Sequence, residues 1–312
     1  MTRTDVWLVD RDATQTAYTP EAEPVLRVPS GTSVEFRTHD TRSGALLDMP
    51  RADPYDLPRP DRTRGNPVSG PVFVEGARPG DGLLVEVLSI DCDPVGWCGA
   101  HAGLASVPPG RVSRALGRTC EVTDSSVQYG QDLSVPLRPM LGCIGTAPVS
   151  GVSTQLAGVH GGNMDQSVVQ AGTAVLLPVF VDGALVSIGD VHAAQGDGEL
   201  GGLALEVPAS VTVRVSIVAG HDLSWPWLQS TRGVCVMTAA ESFEAAAALA
   251  TDEGMKLLEN SLALAPADAL ALLSITSDMR VGAAWGGPQV TVRLEIPAHL
   301  GVAPAGLRTR QQ

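Results

Sequence analysis

The chain has 312 residues, of which 44% are hydrophobic and 18% are charged, and its formal net charge is −13. This composition is typical of a globular protein with a sizeable core, and no apolar run approaches the roughly 18 residues that a bilayer span needs. An acidic chain without a Lys/Arg cluster repels a phosphate backbone. We therefore expect neither a nucleic-acid nor a membrane partner.

The cysteine pattern and the first residues both predict a cytoplasmic location. The five cysteines are odd in number and irregularly spaced, which argues against a disulfide framework. The opening "MTRTDVWLVD" has no basic region followed by a long apolar region, so no export signal is predicted. Cys92 and Cys98 are too far apart for a CxxC metal pair, even with His101 close behind.

The first two thirds of the chain are predicted to be mostly strands. In "SGTSVEFRTHD", Val34, Phe36 and Thr38 share one face of a period-two pattern. "PGDGLLVEVLSI" repeats a turn followed by a strand, and "ASVTVRVSIVAG" alternates apolar and polar residues throughout. One-sided strands of this kind are typical of antiparallel sheets.

A hairpin is predicted in "TAVLLPVFVDGALVSIGD", closed by Asp182 and Gly183. This dipeptide tolerates the positive φ angles of a type I′ turn. Pro178 suggests an edge or a bulge in the first arm. The second arm leads directly into "VHAAQGDGE".

Helices are predicted only in the last third. "ESFEAAAALATDEGMKLLENSLAL" has the length and composition of a helix, "PADALALLSITS" begins with a proline suited to a first turn, and the strand "QVTVRLEIPAHL" follows. Strands first and helices late indicate an α+β, mainly β architecture. We expect one unit over residues 1–312, β-rich over 1–235 and helix-containing over about 236–312.

One short pattern occurs twice, as "VHGGNMD" at His160 and as "VHAAQGD" at His192. Each copy has Val, His, two very small residues, a carboxamide, any residue and Asp. Imidazole and carboxylate are ligands for Zn²⁺, and small residues let the backbone curl around an ion. His160, Asp165, His192 and Asp197 are therefore candidate metal ligands.

The same pattern offers candidates for hydrogen bonding and for proton transfer. The amides of Asn163 and Gln195 can donate or accept hydrogen bonds, and Glu199 adds a carboxylate that could manage protons. The alternative is that both copies are ordinary solvated turns, since Gly, Asn and Asp are turn formers. The repetition in a chain with six histidines favours a functional site.

A further candidate ligand is Asp40, which continues the apolar face of the early strand. A buried carboxylate requires a partner, a hydrogen bond or a metal. The alternative is that the strand ends before Asp40. His39 points to the opposite face and is the weaker candidate.

The only lysine, Lys256, lies in the first predicted helix. Amidases that use a Glu-Lys-Cys or Ser-Ser-Lys set need a catalytic lysine, and no matching Cys or Ser motif surrounds this one. A Ser-His-Asp hydrolase would show a GxSxG elbow, which is absent from the sequence.

"HGGNMD" and "GDVHAAQGDGE" resemble the two hallmark segments of the acetamidase/formamidase family. The resemblance extends in order through residues 66–90 ("NPVSGPVFVEGARPGDGLLVEVLSI"), 138–148 ("RPMLGCIGTAP"), 177–190 and 271–281. It thus covers most of the chain.

The resemblance implies a jelly-roll-like β-sandwich with a smaller α/β portion that carries the C-terminal helices, assembled as a homodimer or higher homo-oligomer. It implies hydrolysis of small linear amides such as formamide and acetamide, with lactams or a non-catalytic metal-binding role as alternatives. A divalent metal, zinc or calcium, is associated with this fold. By position, the site carries over to His160, Asn163, Asp165, His192, Asp197, Glu199 and Asp40.

The implied mechanism has a metal polarise the amide carbonyl or lower the pKa of a bound water. Glu199 would take the proton of the water and pass it to the leaving nitrogen, and Asn163 or Gln195 would stabilise the oxyanion. The segment "THDTRSGALLDMP", residues 38–50, departs from the family pattern and leaves the substrate open.

Overall fold

The computed structural model describes residues 6–51, 53–59, 64–101, 106–221, 223–284 and 288–307. These residues form 24 strands, two α-helices and one short 3-10 helix over Ala298–Leu300. The strands are β1 (Trp7–Val9), β2 (Thr14–Gln15), β3 (Ala17–Tyr18), β4 (Leu26–Pro29), β5 (Thr32–Thr38), β6 (Tyr55–Asp56), β7 (Val68–Glu75), β8 (Gly82–Cys92), β9 (Val95–Ala100), β10 (Leu116–Val122), β11 (Ser126–Tyr129), β12 (Leu133–Pro136), β13 (Met140–Gly145), β14 (Val152–Ser153), β15 (Ala157–Gly158), β16 (Gly161–Asn163), β17 (Ala174–Pro178), β18 (Val186–Ala194), β19 (Leu205–Glu206), β20 (Ala209–Val218), β21 (Trp227–Ser230), β22 (Gly233–Ala240), β23 (Asp278–Val281) and β24 (Val290–Pro297). The helices are α1 (Phe243–Leu262) and α2 (Pro266–Thr276).

Two large sheets share one hydrophobic core. The nine-stranded sheet has the order β1-β5-β20-β8-β17-β21-β22-β24-β23, and the thirteen-stranded sheet runs β12-β11-β10-β9-β19-β18-β13-β16-β15, with β2, β4, β6 and β7 joined to it. Phe36 and Val213 of the first sheet lie in the same buried cluster as Leu141 and Ile188 of the second. The mainly β, α+β prediction is confirmed, and the jelly-roll-like path stays a prediction.

The period-two strands are confirmed with their predicted faces. In β5, Val34, Phe36 and Thr38 are fully buried. In β20, Val211, Val213 and Val215 are buried while Arg214 is exposed. Alternation predicted these strands because each turns one face to the shared core and the other towards solvent.

The hairpin prediction is wrong, because its two arms lie in different sheets. β17 pairs with β8 and β21, whereas β18 pairs with β13, β7 and β19. Gly183, Ala184 and Leu185 all have positive φ, and this turn carries the chain from one sheet to the other. Pro178 ends β17, which is an interior strand and not an edge. Turn chemistry is local and does not reveal which strand an arm pairs with.

Both helix predictions are confirmed. The Ser242 side chain accepts a hydrogen bond from the Ala245 N–H and caps α1, and Pro266 begins α2. The helices pack on β22 and β24 around a second core that includes Leu258 and Leu294. No single helix in the described ranges has the length and apolar character of a membrane span; α1 and α2, bent by 111°, pass that test only as a pair.

Candidate active site

The site is built around the end of β18, where Asp190 and His192 lie two residues apart and share a face. His192 Nε2 lies 3.3 Å from Asp190 Oδ1 and 3.4 Å from Glu206 Oε1. Glu206 is directly opposite His192 in the β18–β19 pairing. All three side chains are at most 3% exposed. One imidazole is thus held between two buried carboxylates.

Asp165 and Glu199 complete this group. In the described part of the chain, Asp165, Asp190 and His192 offer ligand atoms within 4.8 Å of one another, and so do His192, Glu199 and Glu206. We call these five residues the buried cluster. Four carboxylates around one imidazole in a low-dielectric interior require protons or a cation to offset their mutual repulsion. The cluster could therefore hold a metal ion.

Three members of the buried cluster sit in strained backbone. Asp165, Asp190 and Glu199 have φ angles of 46°, 54° and 41°. Non-glycine residues rarely adopt this left-handed region, and each costs on the order of 1–3 kcal/mol. Such strain concentrates at functional sites, since the surrounding structure must hold each side chain in a position that relaxed backbone would not give.

Gly142 in β13 leaves the space in which two of these carboxylates meet. A Cβ at Gly142 would lie 2.7 Å from Asp165 Oδ1 and 2.8 Å from Asp190 Oδ2. It would also lie 2.8 Å from the main-chain oxygen of Asp190. A side chain at this position would fill the cradle between the two aspartates.

Gln195 fixes the orientation of His192. Its Nε2 donates to the main-chain oxygens of Asp165 (2.8 Å) and Gly282 (3.4 Å), so its Oε1 is the acceptor that faces His192 Nδ1 at 2.7 Å. Nδ1 therefore carries a proton, and Nε2 faces Asp190 and Glu206. A bare lone pair there would be repelled by both carboxylates, so Nε2 needs either a second proton or a cation.

The acid–base properties of the cluster follow from its burial. Burial, and then the charge of Asp190, raise the pKa of Asp165 to about 7. Burial, and then Asp165, raise the pKa of Glu199 well above its usual range. For His192, burial opposes the charged form, but Glu206 and Asp190 outweigh it and raise its pKa. Oδ1 of Asp165 and Oδ1 of Asp190 accept no hydrogen bond from the described residues.

The cluster opens into a cavity of about 530 Å³. Asp165, Asp190, Glu199 and Glu206 form its acidic floor. Asn163, a predicted site residue, also lines it. A buried acid–base group with access to a cavity of this size is the usual arrangement of a small-molecule site.

Asn163 has a fixed amide orientation. Its Oδ1 accepts hydrogen bonds from Asn66 Nδ2 (3.3 Å) and from the Cys143 thiol (3.0 Å), which leaves its Nδ2 as the donor for a ligand. Asn66 Nδ2 also donates to Asp190 Oδ2 at 3.0 Å. Burial and the charges of Asp190 and Asp165 raise the pKa of the Cys143 thiol well above its usual range, so this thiol stays protonated.

The structure does not bring His160 into the buried cluster. Its ring packs edge-on against Tyr18, with centroids 5.1 Å apart, and its Nε2 is buried without a hydrogen-bond partner in the described structure. Burial lowers its pKa to about 4. His160 and His192 hold equivalent positions in the repeated pattern, but within the described ranges carboxylates surround His192 and not His160.

Asp197 and Asp40 also lie outside the cluster. Asp197 accepts two hydrogen bonds from Arg293, at 2.9 and 2.7 Å. Burial disfavours the charged form of Asp197, but the hydrogen bonds from Arg293 and Ser167 outweigh it and lower its pKa. Asp40 is fully buried just after β5 ends at Thr38, and its oxygens accept three N–H groups, described below.

Asp190, Glu206 and Asn66 were missed by reasoning from the sequence. Asp190 could have been found, because a period-two strand places it on the same face as His192. Glu206 could not, because its role depends on the pairing of β19 with β18. Asn66 lies far away in the sequence and gives no local signal.

The family model for the acetamidase/formamidase family matches residues 7–158 and 150–300. A Schizosaccharomyces pombe protein that is named as a formamidase is 26% identical to this chain over 251 residues. The matched region covers 61% of this chain and 60% of that protein. The chain thus spans about 60% of the length of this curated relative.

Two solved structures are similar over nearly the whole chain. An acetamidase from Bacillus halodurans has a TM-score of 0.87 and 34% identity, with 94% of this chain and 98% of that chain covered. A gamma lactamase from Delftia acidovorans has a TM-score of 0.64 and 19% identity, with 97% and 92% covered. The second similarity concerns the fold alone.

Proposed function

Because the chain belongs to the acetamidase/formamidase family, we propose that it is an amidase that hydrolyses the carbon–nitrogen bond of small linear amides to a carboxylate and ammonia. The observation that carries this proposal is the buried cluster at the floor of the cavity. It offers proton donors and acceptors, a positioned imidazole and oxygen ligands where a small polar molecule can enter.

We propose further that the cluster holds a divalent metal, and that this metal is zinc. His192 Nε2, Oδ1 of Asp165 and Oδ1 of Asp190 are the atoms that would bind it, with Glu206 beside them. Imidazole favours zinc over calcium, which takes oxygen ligands. When bound, zinc would polarise the amide carbonyl and lower the pKa of a water to about 7.

Glu199 is the residue proposed to move protons. As a carboxylate it takes a proton from the attacking water, whose oxygen forms a bond to the amide carbon. The protonated Glu199 then donates to the amide nitrogen as the carbon–nitrogen bond breaks, and ammonia leaves. Glu199 is buried and lines the cavity, so one carboxyl group is placed to perform both steps.

The two carboxamides receive different roles. Asn163 Nδ2 is the donor proposed to stabilise the oxyanion. Gln195 uses both ends of its amide on His192 and on main-chain oxygens, so it positions the imidazole and does not act as an oxyanion donor.

Amidase mechanisms that depend on a catalytic cysteine or lysine fit the structure poorly. A nucleophilic cysteine needs a lowered pKa, whereas that of Cys143 is raised. Lys256 lies on α1 and pairs with Asp252 (2.7 Å) and Glu253 (2.9 Å), which raise its pKa. Neither residue supplies the activated nucleophile or base that those mechanisms require.

The test is ammonia release from formamide, acetamide and propionamide, and ring opening of a small lactam, before and after chelation with zinc added back. We expect a linear amide to turn over, the chelator to abolish this reversibly, and Glu199→Gln to lower kcat by roughly 10²- to 10⁴-fold. Activity that survives chelation would overturn the metal proposal. If only the lactam reacts, the linear-amide assignment is wrong; if nothing reacts, a non-catalytic metal-binding role replaces the enzyme.

A further inference from the structure

The segment between β5 and residue 47 forms one wall of the cavity. Thr41, Arg42, Ser43, Ala45 and Leu46 all line it. The residues of this segment therefore take part in deciding what the cavity accepts.

Asp40 gives this wall its shape. Its Oδ1 accepts hydrogen bonds from Arg42 N (2.9 Å) and Trp97 Nε1 (2.9 Å), and its Oδ2 accepts from Gly44 N (2.7 Å). A buried carboxylate with three N–H donors is well satisfied and holds the backbone of the loop firmly. Asp40 is thus a positioning residue for the wall.

The wall touches the buried cluster directly. Thr41 Oγ1 donates to Glu206 Oε2 at 2.9 Å. The next residue, Arg42, therefore projects from a backbone anchored on both sides, by Asp40 and by the cluster.

The guanidinium of Arg42 lies in the field of Glu206 and Asp40 but forms no salt bridge with a described residue, so it can still pair with a ligand. It is half-buried, lies 6.0 Å from the centre of the Trp97 ring, and donates one hydrogen bond to the Pro58 main-chain oxygen at 3.3 Å. No carboxylate among the described residues forms an ion pair with it. Arg64, which is exposed, is a second cation in the cavity lining.

The cavity therefore has an acidic floor and a basic wall. An anionic group is repelled by the four carboxylates of the floor and attracted by Arg42, so the charge pattern orients a ligand that is neutral at one end and anionic at the other. Leu46 and Leu203 add apolar surface to the cavity lining. Acetamide occupies on the order of 100 Å³, judged from the ~30 Å³ of a water molecule, and leaves most of the 530 Å³ cavity unfilled.

We propose that the substrate is an amide whose acyl chain ends in a carboxylate, with the amide at the buried cluster and the carboxylate paired with Arg42. This assignment rests on the proposed amidase function and specifies its substrate class. The planar guanidinium fork matches a carboxylate with two parallel hydrogen bonds, which makes Arg42 the specificity-determining residue.

The test compares kcat/KM for matched pairs of amides of equal carbon number: succinamate against butyramide, and glutaramate against pentanamide. We expect the wild-type protein to favour one of the acidic amides over its neutral partner by about 10-fold or more. Arg42→Gln should reduce this ratio to about 1, and Arg42→Lys should retain part of it. Arg214→Gln, which removes an exposed arginine on β20, should leave the ratio unchanged. Added salt should lower the wild-type ratio.

The outcomes separate this proposal from the amidase proposal. If the neutral amides turn over but neither acidic amide is favoured, or if Arg42→Gln and Arg214→Gln change the ratio equally, the carboxylate assignment is wrong and the amidase function stands. If no amide of either kind turns over, the amidase function fails and the substrate assignment fails with it.

Discussion

His160 is a buried imidazole without an acidic side chain among the described residues to stabilise its charged form, and burial lowers its pKa to about 4. In the unfolded chain a histidine titrates near 6.5. Between these values the unfolded state binds a proton that the folded state rejects. The free energy of unfolding is therefore unaffected by His160 above about pH 6.5. It falls by about 3 kcal/mol in all as the pH drops from about 6.5 to 4.

We expect His160→Asn to remove this loss. The measurement is the free energy of unfolding in urea at pH 7, 6, 5 and 4 for wild type and variant, compared by their slopes with pH. His299→Asn removes an exposed histidine and is the matched control, which should follow the wild type. A variant whose slope equals that of the wild type would show that His160 is protonated in the folded protein.

The residues of the site show what a local pattern can predict. His192, Asp165 and Glu199 were predicted because their residue types suit the chemistry, and they lie together in the buried cluster. His160 and Asp197 belong to the same repeated pattern, but the first packs against Tyr18 and the second pairs with Arg293. Their partners lie far away in the sequence, so the pattern alone could not separate them from the cluster.

At the scale of elements, the site depends on how closely β13 and β18 approach. Gly142 has no side chain, and the carboxylates of Asp165 and Asp190 occupy the space that a Cβ would need. Part of this crowding is against the main-chain oxygen of Asp190, which cannot move aside as a flexible side chain could. One methyl group there should therefore push the ligand atoms apart.

We expect Gly142→Ala to weaken zinc binding by about 10- to 100-fold and to lower amidase activity by a similar factor. Zinc affinity is measured by competition with a coloured chelator, and far-UV circular dichroism checks that the variant is folded. Gly196→Ala is the control, since a Cβ at Gly196 meets nothing within 4 Å. A folded Gly142→Ala protein with wild-type affinity would contradict the proposed role of Asp165 and Asp190.

The elements also show where prediction from sequence stops. β5, β8 and β20 were predicted because one face of each is buried, and α1 and α2 because caps and composition are local signals. β17 and β18 are buried almost throughout, so they show no alternation, and their pairing with strands of two different sheets depends on contacts across the whole chain.

At the scale of the whole molecule, the β-rich and helix-containing portions meet next to the site. Gly198 forms a parallel bridge with Ala283, and the Gly198 N–H donates to the Gly282 oxygen at 3.0 Å. Arg293 of β24, only 2% exposed, binds Asp197 through two nitrogens. The cluster itself comes from residues 165–206, so the C-terminal portion supports the site without supplying a member of the buried cluster.

These contacts predict that the two portions unfold together. Arg293→Met should lower the free energy of unfolding by about 2–3 kcal/mol, below the ~3–5 kcal/mol of a fully buried pair, because Asp197 is a third exposed and its remaining charge is partly hydrated. Arg214→Met, which breaks an exposed pair with Glu86, should cost at most about 1 kcal/mol.

The measurement is urea unfolding followed by tryptophan fluorescence and by far-UV circular dichroism. Trp97 reports on the thirteen-stranded sheet and Trp227 on the nine-stranded sheet, while circular dichroism includes the two helices. Coincident transitions that shift together in Arg293→Met mean one cooperative unit over the chain. The alternative outcome is that the helical signal is lost in a separate transition, or that Arg293→Met shifts only the transition of the helical signal. In that case the two portions are independent domains, and the Asp197–Arg293 pair is a contact between them.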